Sequence, residues 1–204
     1  PIPADASLFI DEMLIQLKKN NFNNTKYKDW LKKTMEWKKD YPVILQEYWE
    51  YNKVSIYALV DIVSNLIEPG DLFVPGSSGA CSEISMQAFK SKKGVRVLNS
   101  EGLGPMGFGI SASLGGSVAS GGKRTICLEG DGGFAMNTQE LETVRRLGLP
   151  IKYFVLDNKG YGSIRSTQKS YFDERYFAST PEGGLTLPNL ENIAQAYGLP
   201  FYEI

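Results

Sequence analysis

No histidine occurs anywhere in the chain. Ser-His-Asp and Cys-His catalysis are thereby excluded, because both need an imidazole to carry the proton. Only two cysteines are present, Cys81 and Cys127, far apart and without a Cys-x-x-Cys pairing. They indicate neither a zinc site nor a disulfide framework, and Cys127, inside "RTICLEG", reads as a small core residue. Long apolar runs are missing too. None approaches the ~20 residues that a membrane-spanning helix requires, and no signal-peptide pattern opens the chain. Charge of one sign is equally lacking. A net charge of -1 gives no electrostatic case for nucleic acid or for an anionic membrane. The mildly basic stretch from Lys18 to Lys39 reads as a solvated helix face. Glycine, finally, is absent before Gly70, although the chain holds 21.

That last absence divides the sequence. Residues 1–50 carry apolar positions at helical spacing in "DASLFIDEMLIQLKKN" and aromatic anchors in "KYKDWLKKTMEWKKDYP", and they read as a helical arm or inter-domain connection. Residues 51–204 alternate regularly. "SIYALVDIVSNLI" is a helix with Ser55 at its cap, "DLFVPG" a strand, "ACSEISMQAFK" a helix and "GVRVLNS" a strand. A glycine-rich helix over "GPMGFGISASLGGSVA" leads to the strand "RTICLEG". "NTQELETVRRLG" is a helix capped by Asn137 or Thr138, and "IKYFVLDN" is an apolar strand of the kind buried on both faces. "LPNLENIAQAYG" and "PFYEI" close the chain as helix and strand. The expected fold is α/β, a mostly parallel sheet with helices on both faces, preceded by the helical arm. The chain opens at Pro1 without a methionine and closes on a strand, so both ends are expected to continue into a longer protein. The cytoplasm is the expected compartment.

Ligands of such sheets bind beyond the carboxyl ends of the strands, and four glycine-bearing loops follow predicted strands here. Two of them carry Asp131, in "EGDGGF", and Asn158, in "LDNKGYG", separated by one helix plus one strand. Adjacent parallel strands would bring both side chains to one sheet edge. A carboxylate, an amide oxygen and a loop carbonyl form an all-oxygen set that suits magnesium when phosphates supply the remaining ligands. Glycines let backbone N–H groups approach those phosphates. Taken singly, Gly-Asp-Gly is also an ordinary turn and Asn158 an ordinary capping residue.

"GDGGFAMNTQELETVRRLGLPIKYFVLDN" resembles the diphosphate-binding motif of thiamine-diphosphate-dependent enzymes. Glu140-Leu141, the "LPIK" at Leu149 to Lys152 and "SEGLGPMGFGISASLGGSVA" resemble the acetolactate synthase-like branch. The resemblance covers residues 55–204 and implies the thiamine-diphosphate-binding fold, with 1–50 as the tail of a central domain and 51–204 as a C-terminal domain cut short at its end. It implies thiamine diphosphate and Mg2+ as cofactors, with Asp131, Asn158 and the Gly160 carbonyl as metal ligands. Gly130, Gly132, Gly133, Tyr161, Gly162 and Ser163 would meet the diphosphate or flank it. Met106 would support the bent cofactor from below, and the Gly104 carbonyl would accept from its aminopyrimidine.

Departures from the family pattern are also present. Ser77 and Ser78, in "GSSGACS", stand where acetolactate synthases usually carry Gln-His-Gln. Glu101 replaces a small residue. Tyr161 and Arg165 could face a substrate other than pyruvate, or could pack and form a surface ion pair. The glutamate that activates the cofactor in this family belongs to a pyrimidine-binding domain, and no segment here resembles it. No catalytic residue is therefore assigned, and the chain alone is expected to be inactive. The implied activity is that of a carboligase or decarboxylase acting on a 2-keto acid, completed by the pyrimidine-binding domain and assembled as a homodimer or homotetramer. Two alternatives stay open: acyl transfer to a sugar nucleotide in cell-surface polysaccharide synthesis, which "STQKSYFDERYFAST" resembles, and a nucleotide- or sugar-phosphate-binding module without thiamine.

Overall fold

The computed structural model describes residues 3–76 and 79–204. It separates into two compact units, Pro1–Val43 and Ile44–Ile204. The first contains α1 (Ala6–Lys19) and α2 (Lys28–Asp40). Asp5 caps α1, its carboxylate accepting from the Ser7 and Leu8 amides at 2.9 and 3.2 Å, and Lys18 and Lys19 lie at the opposite pole of the helix dipole. In α2, Trp30 and Trp37 meet edge to face at 5.5 Å. Neither helix has a buried residue, because two helices by themselves cannot enclose a core.

The second unit runs α3 (Ile56–Leu66), β1 (Leu72–Pro75), α4 (Gly79–Ala88), β2 (Arg96–Val97), α5 (Phe108–Ala119) and β3 (Thr125–Gly130). It continues with α6 (Asp131–Met136), α7 (Glu140–Leu147), β4 (Ile151–Leu156), α8 (Gly162–Tyr171) and α9 (Leu190–Ala196). All strands are parallel, in the order β2-β1-β3-β4. The chain steps outward from β1 to β2 and then returns to the other side of β1 with β3. That reversal opens a crevice between the carboxyl ends of β1 and β3.

Side-chain alternation along the strands supplies two faces. Phe73, Ile126, Leu128, Phe154 and Leu156 face Val60 and Val63 of α3, Ile67 just past its end, and Cys81 and Ala88 of α4. Tyr153 and Val155 face the other way, toward Ile110, Phe134, Leu141 and the α9 residue Ile193. Burying a side chain the size of Phe73, 1% exposed, contributes about 1.5–3 kcal/mol. Helices thus cover both faces of a parallel sheet, as the alternation of elements predicts.

Four local expectations change. β4 has no fully buried residue, and Lys152 is exposed, because β4 ends the strand order. Residues 200–204 form no strand. Ser55 holds the N-cap position of α3 without a hydroxyl cap bond. Neither Asn137 nor Thr138 caps α7, whose N-cap is Gln139; the Asn137 amide donates to the Gly107 carbonyl at 3.0 Å instead. Gly109 and Gly116 of α5 lie against its own sheet. A Cβ on Gly116 would lie 2.5 Å from Leu98 Cδ1 and 2.9 Å from Leu72 Cδ2, so the helix seats closely on β1. Among the described residues no helix is long and apolar enough to cross a membrane.

Candidate functional site

β3 runs without a loop into α6, and this places Asp131 at the first helical position, 3% exposed. Its Oδ1 accepts from the Gly132 amide at 2.7 Å and its Oδ2 from the Gly160 amide at 3.0 Å. Burial raises the Asp131 carboxyl above its ordinary value; the amides of Gly160 and Gly132 oppose that rise, and Asp157 adds to it. The bond to Gly160 ties the end of β3 to the loop after β4.

That loop is shaped by residues in unusual conformations. Lys159 has φ 59° and Gly160 has φ 148°. A Cβ on Gly160 would collide with the Ser179 carbonyl, so only glycine fits. Ser179 is fully buried and its carbonyl accepts from the Tyr161 amide at 3.1 Å, while its hydroxyl bonds Gln168 at 2.5 Å. Residues 178–185 close on themselves through Ala178 N to Gly183 O at 2.8 Å and Leu185 N to Thr180 O at 3.0 Å. This strap braces the Gly160 turn from behind. Lys159 pairs with Asp157. Arg165, in the first turns of α8, donates from Nη1 to the Asn158 carbonyl at 3.0 Å and from Nη2 to Asn158 Oδ1 at 2.9 Å.

A cavity of about 320 Å³ opens between these loops. Met106, Gly130, Asp131, Gly132, Gly133, Asn158, Gly160, Tyr161, Gly162 and Ser163 all line it, so one place gathers most of the candidates. A Cβ on Gly132 would collide with the Tyr161 ring and come within 3.4 Å of Met106 Cε, so these three converge. Ser163 Oγ lies 2.6 Å from where a Cβ on Gly79 would stand, which joins the starts of α4 and α8. Gly104 is a left-handed residue (φ 49°) shortly before Met106 and does not line the cavity. Ser77 and Ser78 lie outside the described residues. Arg165 holds Asn158 and makes no ion pair among the described residues, in contrast to the surface-pair alternative.

Of the lining residues that the sequence reading did not single out, one is charged. Glu129, the last full side chain of β3, is 3% exposed. It accepts from the Gly109 amide at 3.0 Å and the Gly130 amide at 3.2 Å. A Cβ on Gly76, Gly109 or Gly133 would stand 2.5 or 2.6 Å from its carboxylate. Glycine at these positions therefore makes room for Glu129. The available signal was a charged residue ending the buried run "TICLEG".

Chemically, the cavity presents two buried carboxylates, an amide oxygen and backbone amides, and no basic side chain among the described residues that line it. Oxygen donors grouped around a carboxylate suit a hard divalent cation, and glycine N–H groups suit phosphate oxygens. The residues present fit a diphosphate bound with its metal.

Comparison with known proteins agrees. The family model described as "Thiamine pyrophosphate enzyme, C-terminal TPP binding domain" matches residues 77–204. The chain belongs to this family of thiamine-diphosphate-binding proteins. It is similar to the acetolactate synthase large subunit of Cyanidium caldarium, with 30% identity over 202 residues covering 97% of this chain and 33% of that protein. The corresponding subunit of Lactococcus lactis subsp. lactis (strain IL1403) is 29% identical over 204 residues, 100% of the chain and 34% of the relative. Isozyme 2 of Escherichia coli (strain K12) is 36% identical over 132 residues, covering 65% and 24%. The chain thus spans about a third of the length of curated relatives it matches. The family match does not favour a nucleotide module without thiamine, nor acyl transfer to a sugar nucleotide.

Proposed function

We propose that this chain anchors the diphosphate and magnesium of thiamine diphosphate in an acetolactate synthase-like carboligase or decarboxylase acting on a 2-keto acid. The observation that carries the reading is the buried Asp131 carboxylate, bonded to the Gly160 amide across a cavity with no basic lining side chain. A polyanion cannot enter beside carboxylates unless a cation accompanies it. Asp131, Asn158 Oδ1 and the Gly160 carbonyl would hold that cation. The amides of Gly130, Gly132, Gly133 and Gly162, the Ser163 hydroxyl, and Ser77 and Ser78 would take the phosphate oxygens. Met106 and Tyr161, converging on Gly132, would exclude water and support the rings, with the Gly104 carbonyl accepting from the aminopyrimidine.

When bound, thiamine diphosphate supplies the electron-accepting ring that decarboxylation of a 2-keto acid needs. The glutamate that activates that ring is assigned to a second, pyrimidine-binding domain, because no segment of this sequence resembles the one that carries it. Residues 51–204 then form the C-terminal cofactor domain and 1–50 its helical connection, within a cytoplasmic homodimer or homotetramer. The chain without that domain is expected to be inert toward pyruvate and other 2-keto acids. Calorimetric titration of the full-length protein with thiamine diphosphate tests the reading. Binding should need magnesium, vanish with chelator and resist competition by purine nucleotides. Metal-independent binding, or displacement by a purine nucleotide, would sink it.

A further inference from the structure

No basic side chain lines the cavity among the described residues, yet Arg165 stands between Ile164 and Ser166, which both line it. Arg165 spends two of its guanidinium donors on Asn158, one on the backbone carbonyl and one on the side-chain oxygen. Within α8 and the turn before it, the two lysines have carboxylate partners, Lys159 with Asp157 and Lys169 with Glu174 at 3.8 Å. Arg165 has no carboxylate partner among the described residues, so a full positive charge rests on neutral acceptors. Neutral acceptors hold a guanidinium less firmly than a phosphate does. Its Nη2 also lies 4.0 Å from where a Cβ on Gly162 would stand, and Gly162 lines the cavity.

We propose that Arg165 occupies Asn158 Oδ1 in place of the divalent cation and releases it when a diphosphate arrives, which makes metal binding conditional on the diphosphate. The inference rests on the assignment of Asn158 as a metal ligand. A divalent ion entering alone must displace the guanidinium from Oδ1 and then tolerate its charge nearby. A diphosphate changes the balance by offering Arg165 a stronger, anionic acceptor. Metal and diphosphate therefore enter as a pair, and by reciprocity each strengthens the other.

The test uses Mn2+ as probe and inorganic pyrophosphate as the diphosphate, with the full-length protein and free Mn2+ read by electron paramagnetic resonance. Arg165→Met should bind Mn2+ alone about tenfold more tightly than the parent, the scale expected when one charge-assisted hydrogen bond and a like charge are removed. Arg165→Gln, which keeps a donor but loses the charge, should tighten it by a smaller factor. In both variants the enhancement of Mn2+ affinity by pyrophosphate should shrink correspondingly. Circular dichroism checks that each variant is folded. If both folded variants bind Mn2+ alone no more tightly than the parent, Arg165 only braces the loop and the proposal is overturned. Asp131→Asn separates the two levels: if it binds Mn2+ like the parent with pyrophosphate present, the metal assignment itself has failed and this proposal falls with it.

Discussion

The two ends of the sheet treat buried charge in opposite ways. At the amino end, Asp71 and Arg124 precede the paired strands β1 and β3 and meet through Nε to Oδ1 at 3.0 Å and Nη2 to Oδ2 at 2.5 Å. Burial by itself would raise the Asp71 carboxyl, but the Arg124 hydrogen bonds and the Glu68 amide outweigh it and hold it below its ordinary value. Nearby, Lys92 donates to the Asn65 and Ile67 carbonyls at 2.9 and 3.0 Å, where α3 ends. At the carboxyl end, Asp131 accepts from backbone amides and its carboxyl is pushed up. One edge neutralises its charge internally and stabilises the strands. The other holds its carboxylate with backbone amides, and on the proposed reading that carboxylate gains from an incoming cation. A buried carboxylate thus reads as structural or as functional by the charge of its partners, and its depth alone does not decide.

The contrast can be broken from either side. Asp131→Asn should weaken metal-dependent binding of thiamine diphosphate by about a hundredfold or more, with the melting temperature changed little. Calorimetry beside thermal denaturation would show it. Gly160→Ala should cost about 2 kcal/mol of stability, because a side chain there needs a strained φ and collides with the Ser179 carbonyl. Denaturant unfolding measures that loss, and loss of cofactor affinity should accompany it. Asp71→Asn is the mirror experiment. It should cost about 1 kcal/mol at neutral pH, a modest figure because Arg124 is 40% exposed, and should leave cofactor affinity alone. Because the folded carboxyl is depressed, its stabilising effect is present above the unfolded value and is lost as pH falls through the folded one. Parent and variant should therefore begin to converge in stability as pH falls below about 4, and meet only below the depressed folded value. A large loss of cofactor affinity in Asp71→Asn would erase the distinction between the edges.

Much of this was legible in the chain because it is local. Apolar runs of strand length, punctuated by Gly and Pro, announce β1, β3 and β4, and helical spacing announces α3 and α7. Asp131 and Asn158 could be paired because a parallel crossover brings successive strand ends together. What escaped depends on register and on distant neighbours. Nothing near Glu129 in sequence reveals that Gly76, Gly109 and Gly133 crowd around its carboxylate. The partial exposure of β4 follows from its place in the strand order, which no window of residues records. Nothing local in "GISASLGGSVA" reveals that Gly109 and Gly116 seat α5 on the sheet beneath it. The hold of Arg165 on Asn158 requires α8 to start where it does, after a turn set by Ser179.

The strap has a consequence for how variants of this protein would score. Ser179 does not line the site's cavity, yet its carbonyl fixes the turn that presents the Gly160 amide to Asp131. A survey of substitutions across the chain would find a cluster of intolerant positions around Ser179, as sensitive as the residues at the cavity itself. Read without coordinates, that cluster would be mistaken for a second site. It is the foundation of the first.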